Sequence, residues 1–332
     1  MIAGSITQYF NKGPLFVRRR LQHVLLLVFL VVCVVFIVRD PSVLAPLSGV
    51  TVIGMTQLCL AHVMLVIVNL LRYRLVLQKC SGQRIPLKPW IRLFVVGRFL
   101  NIFVPQLGNV WRSVELKREF SVSYTRYVTT LVALAWISTV LNLLLATVMI
   151  AVLRPSYQLF GAPAWGLLVS GLALICSAPF IGSRLVPLVG KRARRFQEVL
   201  EVSLELASDI KCLAQVLALS LLVFVGGSIA LWCCFEMIDA PAQIIEVALF
   251  FVLLQTANIV RLTPGNVGPQ EVAFAVFGAQ SAVGAAPGML ASGLFRVGDI
   301  LVLTVGSLAL GVLDVLRSGA TAEPPGSSKE IH

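Results

Sequence analysis

The sequence predicts an all-α polytopic membrane protein. Of its 332 residues, 58% are hydrophobic and 13% are charged, and the mean hydropathy is +0.91. A soluble domain carries about 25% charged residues, so the composition excludes one. Six apolar runs reach the length needed to cross a bilayer, about 20 residues at 1.5 Å each, and two more are short or broken. We therefore predict about six full crossings and two re-entrant helical hairpins.

The predicted crossings occupy the long apolar runs in chain order. The first follows three arginines and resembles a signal peptide, but its core exceeds the usual length and no small-x-small cleavage site follows it. We therefore interpret it as a retained helix. The six runs are Leu21–Val38, Gly49–Leu71, Tyr127–Leu153, Trp165–Ser183, Cys212–Phe235 and Met289–Leu313.

The two remaining apolar runs, Trp90–Val104 and Ile244–Gly278, predict the hairpins. Proline and glycine interrupt both, and these residues permit backbone conformations that a helix forbids. Such a break at membrane depth is tolerated only where protein buries it or water reaches it. The residues expected to form the hairpin backbone are Pro105, Gly108, Pro264, Gly265 and Gly268.

The two hairpins share a sequence skeleton. In both, Asn-Ile precedes Gly-Asn-Val by the same interval, starting at positions 101 and 108 in one and at 258 and 265 in the other. Segments broken at corresponding positions in two halves indicate an inverted repeat around a transporter's binding site. We expect the hairpins to enter from opposite sides, with their tips near the midplane. Chance similarity in a Val/Ile-rich chain is the alternative.

The basic residues set the expected orientation. Of 27 Lys and Arg, 23 lie in segments 1–20, 72–126, 184–211 and the C-terminal tail, which share one side. The outer loops hold only Arg39 and Arg154. Because cytoplasmic loops retain Lys and Arg, both termini are expected in the cytoplasm. Counting each hairpin as a full helix pair keeps the same sidedness, so six, eight or ten segments stay open.

The chain is expected to form one membrane domain over 21–315, after a basic cytoplasmic N-terminus (1–20) and before a disordered cytoplasmic tail (316–332). Between crossings, Lys191–Lys211 has apolar residues at helical spacing and a basic start. It predicts an amphipathic helix on the inner membrane face, or a solvated linker helix.

Several function classes lack their motifs. The chain has no P-loop, HExxH or GxSxG motif, which disfavours an ATP-driven pump and a metalloprotease. No cysteine pair has CxxC spacing, so we expect no metal site and no cofactor. The net charge of +12 reflects membrane orientation, and no nucleic-acid partner is expected.

Polar residues near the first hairpin are candidates for substrate binding. A charge at the centre of a membrane helix costs about 2.5–3.5 kcal/mol and is a functional hypothesis by default. A glycine turn that opens a helix presents free N–H groups to anions, and arginine adds bidentate recognition of phosphate. The candidates are Arg98, Asn101, Arg112 and Glu115. The alternative is that these arginines are anchors at the inner surface.

The second hairpin supplies Arg261, Asn266, Gln270 and Glu271 as candidates, with a plain surface loop as the alternative. Its breakers are too dense for an ordinary helix, and apolar runs flank it on both sides. We expect Arg261, Asn266 and Glu271 to line the substrate path.

The last crossing holds Arg296 and Asp299, three residues apart, which are expected to pair with each other and to gate or counter-charge the path. A purely structural ion pair is the alternative. In the second crossing His62, Gln57 and Asn69 are explained by hydrogen bonds between helices. A proton relay through His62 is the alternative there.

Two motifs resemble the lysylphosphatidylglycerol synthase transmembrane-region family, a flippase-like integral membrane family. They are Asn101-x3-Pro105-x2-Gly108-x3-Arg112 with Leu116-Lys117-Arg118, and Pro264-Gly265-x2-Gly268-x2-Glu271. Arg296 falls where the family often has an arginine in its last helix. Asn266 stands where a second glycine is usual, and 128–138 lacks the Glu-Arg pair common in relatives.

The resemblance implies a domain that translocates an anionic phospholipid or a lipid-linked glycan between leaflets of a bacterial inner membrane. The expected partners are membrane lipids or lipid-linked sugars, together with an envelope glycosyltransferase or lipid synthase. The alternatives are a membrane enzyme that modifies a lipid and a non-catalytic scaffold of envelope lipid or polysaccharide biosynthesis. The soluble aminoacyl-transferase domain of fused relatives is absent from this sequence, so lysyl transfer by this chain alone is not expected.

Overall fold

The computed structural model describes residues 41–159, 161–189, 209–240, 242–258, 263 and 266–320, without the side chains of 41–44, 159, 178–189 and 312–320. Several predictions therefore lie outside the described residues. They concern the crossing Leu21–Val38, most of the amphipathic helix Lys191–Lys211, the N-terminus 1–20, the tail beyond 320, and the residues Arg261, Pro264 and Gly265.

The described part of the chain is helical apart from one small hairpin and its turns. A 3₁₀ helix, Pro41–Gly49, comes first, and the strands β1 (Gln158–Leu159) and β2 (Ala162–Pro163) pair antiparallel between two helices. The α-helices are α1 (Val52–Ser81), α2 (Leu87–Phe103), α3 (Leu107–Phe120), α4 (Tyr124–Leu153), α5 (Ala164–Val189), α6 (Ile210–Met237), α7 (Ile244–Ala257), α8 (Pro269–Gln280) and α9 (Ala285–Ala320).

Four of these helices are long and apolar enough to cross a membrane: α1, α4, α6 and the Ala285–Gly311 portion of α9. Two shorter segments are also apolar helices: Ala164–Ser177, the part of α5 whose side chains are described, and the whole of α7. Five of the six predicted crossings thus coincide with helices, which confirms the all-α membrane class. The crossing count and the re-entrant character of the hairpins stay predictions.

Several helices run past the ends that the sequence predicted for them, α1 and α9 the furthest. The second crossing was expected to end at Leu71, but α1 continues to Ser81 and stops at Gly82, whose φ of 67° favours glycine. Arg72 was assigned to a cytoplasmic loop and instead lies inside the helix. At the other end of the chain α9 reaches Ala320, so residues 316–320 of the predicted disordered tail are helical.

Caps explain where the long helices begin. The Thr51 hydroxyl accepts the Gly54 N–H before α1, Ser123 accepts the Arg126 N–H before α4, and Asp209 accepts the Cys212 N–H before α6. Each cap satisfies a backbone donor that the first turn leaves open.

Each hairpin is a pair of helices, and contacts with neighbouring helices hold each pair in place. The Trp90 indole N–H donates to the Leu70 carbonyl at 2.8 Å, which fixes α2 against α1. In the other half Phe250 of α7 lies within 4.6–5.1 Å, centroid to centroid, of the rings of Phe235, Phe274 and Phe277. This buried aromatic cluster joins α7 to α6 and α8. Both pairs also pack on α9.

Candidate functional site

The first hairpin consists of α2 and α3, joined by a turn at residues 104–106. The side-chain oxygen of Asn101, near the end of α2, accepts the Gly108 N–H at the start of α3, at 2.8 Å. A β-carbon at position 108 would overlap the carbonyl oxygen of Gly97, so the two helices approach as closely as glycine allows. The N–H that the sequence offered to an anion is therefore occupied by Asn101.

Arg112 braces this hairpin from inside. Its side chain is buried at 2% exposure, and its guanidinium donates to the carbonyls of Leu93 and Phe94 and to the hydroxyl of Tyr127, at 3.0–3.1 Å. The guanidinium carbon also lies 5.2 Å from the Phe94 ring centroid. Every nitrogen is engaged within the protein. In this conformation Arg112 holds α2, α3 and α4 together, and each of its three nitrogens donates a hydrogen bond within the protein.

Glu115 does not reach the other candidates. Its carboxylate pairs with Arg118 on the same helix at 2.5 Å, where the arginine side chain is 59% exposed. Such exposed pairs contribute about 0–1 kcal/mol.

The second hairpin consists of α7 and α8. The Asn266 amide donates to the last carbonyl of α7, that of Ala257, at 2.9 Å, and its backbone has a φ of 58°. Gly268, with a φ of 98°, precedes α8 and donates its N–H to a carboxylate oxygen of Glu271 at 2.8 Å. Side chains from within the hairpin therefore cap both helix ends at the predicted break: Asn266 caps the end of α7, and Glu271 caps the start of α8.

Arg296 of α9 binds the tip of the second hairpin. Its guanidinium is 2.7 Å from the carboxylate of Glu271 and donates to the carbonyl of Asn266 and the side-chain oxygen of Gln270. The two side chains of the ion pair are only 14% and 9% exposed. Gln270 in turn donates to the Ser292 hydroxyl, one turn before Arg296.

Asp299 of α9 binds the first hairpin instead. Its two carboxylate oxygens lie 3.0 and 3.2 Å from one nitrogen of Arg98. The prediction that Arg296 and Asp299 pair with each other is therefore wrong. They are neighbours on one helix, but each has an oppositely charged partner on a different hairpin. The reason is tertiary: both hairpins pack on α9 and bring a fixed charge to it.

The two ion pairs differ in exposure. The side chains of Arg98 and Asp299 are 30% and 26% exposed, against 14% and 9% for the other pair. Arg296 and Asp299 also flank the midpoint of the 27-residue apolar part of α9. The helix therefore carries one sealed ion pair and one open ion pair side by side, at the depth where a spanning helix would meet the bilayer centre.

Two polar side chains of the second crossing, His62 and Asn69, lie at hydrogen-bond distance from backbone carbonyls of their own helix. One ring nitrogen of His62 lies 2.9 Å from the Leu58 carbonyl, and Asn69 donates to the Leu65 carbonyl. Gln57 is exposed. The other ring nitrogen of His62 is buried, and the ring packs on that of Phe295 in α9 at 4.5 Å between centroids.

Sequence reasoning missed two buried charges. Arg72 was placed at the end of a crossing, where a basic residue needs no explanation, and it is 5% exposed. Glu246 opens α7, and its carboxylate accepts the N–H groups of Gln243 and Ala282, which ties the open end of the second hairpin together. The spacing from Gln243 to Glu246 matches a capping box and was the available signal.

Among the described residues outside the spans, two groups have shifted pKa values. The hydrogen bond from Lys79, followed by the Cys212 N–H, lowers the pKa of Asp209. Burial, reinforced by Glu246, raises the pKa of Tyr157 to about 12. Among the described residues, no group of three His, Cys, Asp or Glu side chains is arranged to hold a metal ion.

The residues of both hairpins lie within the match to a known family. The family model described as the lysylphosphatidylglycerol synthase TM region matches residues 22–306. The chain belongs to this family. Family membership and the long apolar helices together show a multi-pass membrane protein. The family suggests a place in lipid or envelope biosynthesis or translocation. No curated protein and no solved structure shows a significant match to it.

Proposed function

We propose that this protein moves an anionic phospholipid or a lipid-linked glycan between membrane leaflets. Two ion pairs on α9 carry the proposal. Through them α9 holds both hairpins near the middle of its own apolar span. Charged groups at that depth are expensive and mark substrate pathways by default.

The open pair is the proposed substrate contact. Arg98 and Asp299 are each more than a quarter exposed, so their attraction is screened and contributes about 1 kcal/mol or less. A lipid phosphate offers Arg98 two anionic oxygen acceptors, as the carboxylate of Asp299 does. The phosphate then replaces Asp299 while the headgroup passes, and Asp299 replaces the phosphate after release. The sealed Glu271–Arg296 pair keeps the second hairpin docked during this exchange.

The orientation and topology form part of the same proposal. The distribution of basic residues supports cytoplasmic termini in a bacterial inner membrane. The docking of both hairpins on α9, within one turn, supports two re-entrant hairpins related as an inverted repeat.

Transfer of labelled phosphatidylglycerol across reconstituted vesicles tests the proposal. We expect Arg98→Gln to reduce transfer at least tenfold, because the headgroup loses its cationic contact. Asp299→Asn should bind the lipid more tightly and release it more slowly, because nothing displaces the phosphate. Arg118→Gln is the control, since it removes an equal charge from an exposed pair.

The two alternatives give different results in this assay. A lipid-modifying enzyme would change the mass of the labelled lipid, and a scaffold would leave transfer equal in wild type and all variants. Wild-type transfer by Arg98→Gln would overturn the proposed exchange.

A further inference from the structure

Arg72 is a buried cation without a counter-charge. It lies in α1 nine residues before the helix end, about 14 Å along the axis, and is 5% exposed. One terminal nitrogen donates to the hydroxyls of Ser138 on α4 and Ser220 on α6, and the other donates to the amide oxygen of Asn69, at 2.8–3.1 Å. All three acceptors are neutral. No carboxylate among the described residues pairs with it.

Two of the five N–H donors of the guanidinium have no hydrogen bond, the Nε–H and one N–H of the nitrogen that bonds Asn69. The Nε–H of Arg72 is buried and makes no hydrogen bond. Arg72 also lies at 5.9 Å from the centroid of the Tyr73 ring, at the outer limit of a cation–π contact. Arginine keeps its charge at any physiological pH, so it cannot relieve this situation by losing a proton.

Arg112 is another buried arginine without a carboxylate partner among the described residues, and it differs from Arg72 in that its Nε–H is hydrogen-bonded. Its three nitrogens all donate, two of them to helix carbonyls, and it lies over Phe94. The acceptors around Arg72 are two hydroxyls and an amide oxygen in place of backbone carbonyls, and its Nε–H has no hydrogen bond. Leaving a buried charge uncompensated costs several kcal/mol, which a protein recovers when a counter-ion occupies the site.

We propose that Arg72 is the centre of a second anion site, which binds a phosphate oxyanion between α1, α4 and α6. Arginine recognises phosphate with two parallel N–H groups, and here the idle Nε–H lies next to a terminal nitrogen that gives only one bond to Asn69. Asn69 and Ser138 are only partly buried, so two of the three residues that hold the guanidinium reach the protein surface.

The site is distinct from the Arg98–Asp299 pair, although Arg98 is near enough to repel Arg72 electrostatically. An anion on Arg72 reduces this repulsion. The proposal concerns binding alone and holds whether or not the protein translocates lipid. The phosphate comes either from a lipid headgroup or from free phosphate, and the experiment separates the two.

The test measures thermal unfolding of the purified full chain in a neutral detergent and a phosphate-free buffer. Sodium phosphate, phosphatidylglycerol and phosphatidylcholine are titrated separately at constant ionic strength. We expect phosphatidylglycerol to raise the unfolding midpoint of the wild type and phosphatidylcholine to leave it unchanged. A rise with phosphate as well shows that the phosphate group suffices, and a rise with phosphatidylglycerol alone assigns the site to a lipid headgroup.

Variants locate the effect. Arg72→Gln should weaken the apparent affinity at least tenfold, whereas Arg84→Gln, which removes the same charge from an exposed position, should not. Without added anion Arg72→Gln should be at least as stable as the wild type, because it removes an uncompensated charge. Arg98→Gln should keep the Arg72-dependent shift, so failure of the transfer proposal is seen separately.

Equal responses of the wild type and Arg72→Gln to every ligand overturn the site, as does a wild type that responds to neither anion. If the glutamine variant does not fold, Arg72→Lys carries the test. Lysine keeps the charge but cannot present two N–H groups along one edge, so an unchanged affinity in Arg72→Lys also overturns the proposal.

Discussion

Removing the charge of Glu271 tests how strongly the second hairpin is held on α9. The Glu271→Gln side chain still accepts the Gly268 N–H, so the cap of α8 survives. Arg296 then keeps its full charge at 14% exposure with only the Asn266 carbonyl and the Gln270 side chain as acceptors. Breaking one partner of a buried pair costs about 3–5 kcal/mol. Because two neutral hydrogen bonds remain, we expect the low end, about 3 kcal/mol.

The double variant separates pairing from general damage. Arg296→Gln alone should cost about as much, since it leaves the carboxylate of Glu271 unpaired. Replacing both residues leaves no uncompensated charge, so the double variant should lose clearly less than the two single losses added, by about 2–4 kcal/mol.

The open pair provides an internal comparison. Arg98 and Asp299 have the same chemistry at 30% and 26% exposure, so their coupling free energy should be about 1 kcal/mol or less. The assay is unfolding by SDS in mixed micelles, followed by circular dichroism, for both four-variant cycles. Additive losses at Glu271 and Arg296, or equal coupling in the two cycles, would refute the assignment of a sealed and an open pair.

Three further predictions concern packing, topology and pH. Gly108→Ala should lower the free energy of unfolding by about 1–3 kcal/mol, because its β-carbon meets a backbone carbonyl; Gly171→Ala, which meets nothing within 4 Å, is the control in the same unfolding assay. Single cysteines at Lys88 and Ser156, both exposed, should react with impermeant thiol reagents from opposite sides of sealed vesicles, and labelling from the same side would contradict the orientation. Asp209 has a lowered pKa, so its stabilisation is complete above the ordinary value of 3.8 and is lost as the pH falls through the lower value of the folded protein. Thermal unfolding from pH 6 downwards should therefore converge for the wild type and Asp209→Asn, and parallel curves would show that this carboxylate contributes nothing.

The sequence by itself determined the class and the positions of the helices. Apolar runs of about 20 residues leave a chain no alternative to helices in a bilayer, because every backbone group must be paired within its own segment. The breaks were equally readable. Pro105 and Gly108 mark the turn between α2 and α3, and the Gly268 to Glu271 stretch marks the start of α8.

Helix ends and the partners of charges were a different matter. α1 passes Leu71 and carries Arg72, whose hydrogen bonds go to hydroxyls on α4 and α6, and no local pattern predicts these partners. The position of Arg112 after a glycine turn predicted a phosphate ligand, but its guanidinium donates to carbonyls of α2, the preceding helix of the hairpin.

The pairing of Arg296 and Asp299 shows the limit most clearly. Spacing places the two residues on one side of a helix, and spacing alone favours a bond between them. Tertiary structure decided otherwise, because Glu271 and Arg98, on separate hairpins, lie 2.7 and 3.0 Å from Arg296 and Asp299. Sequence periodicity shows which residues share a face. Only the packing of α2 and α8 on α9 decides which charge each of those residues meets.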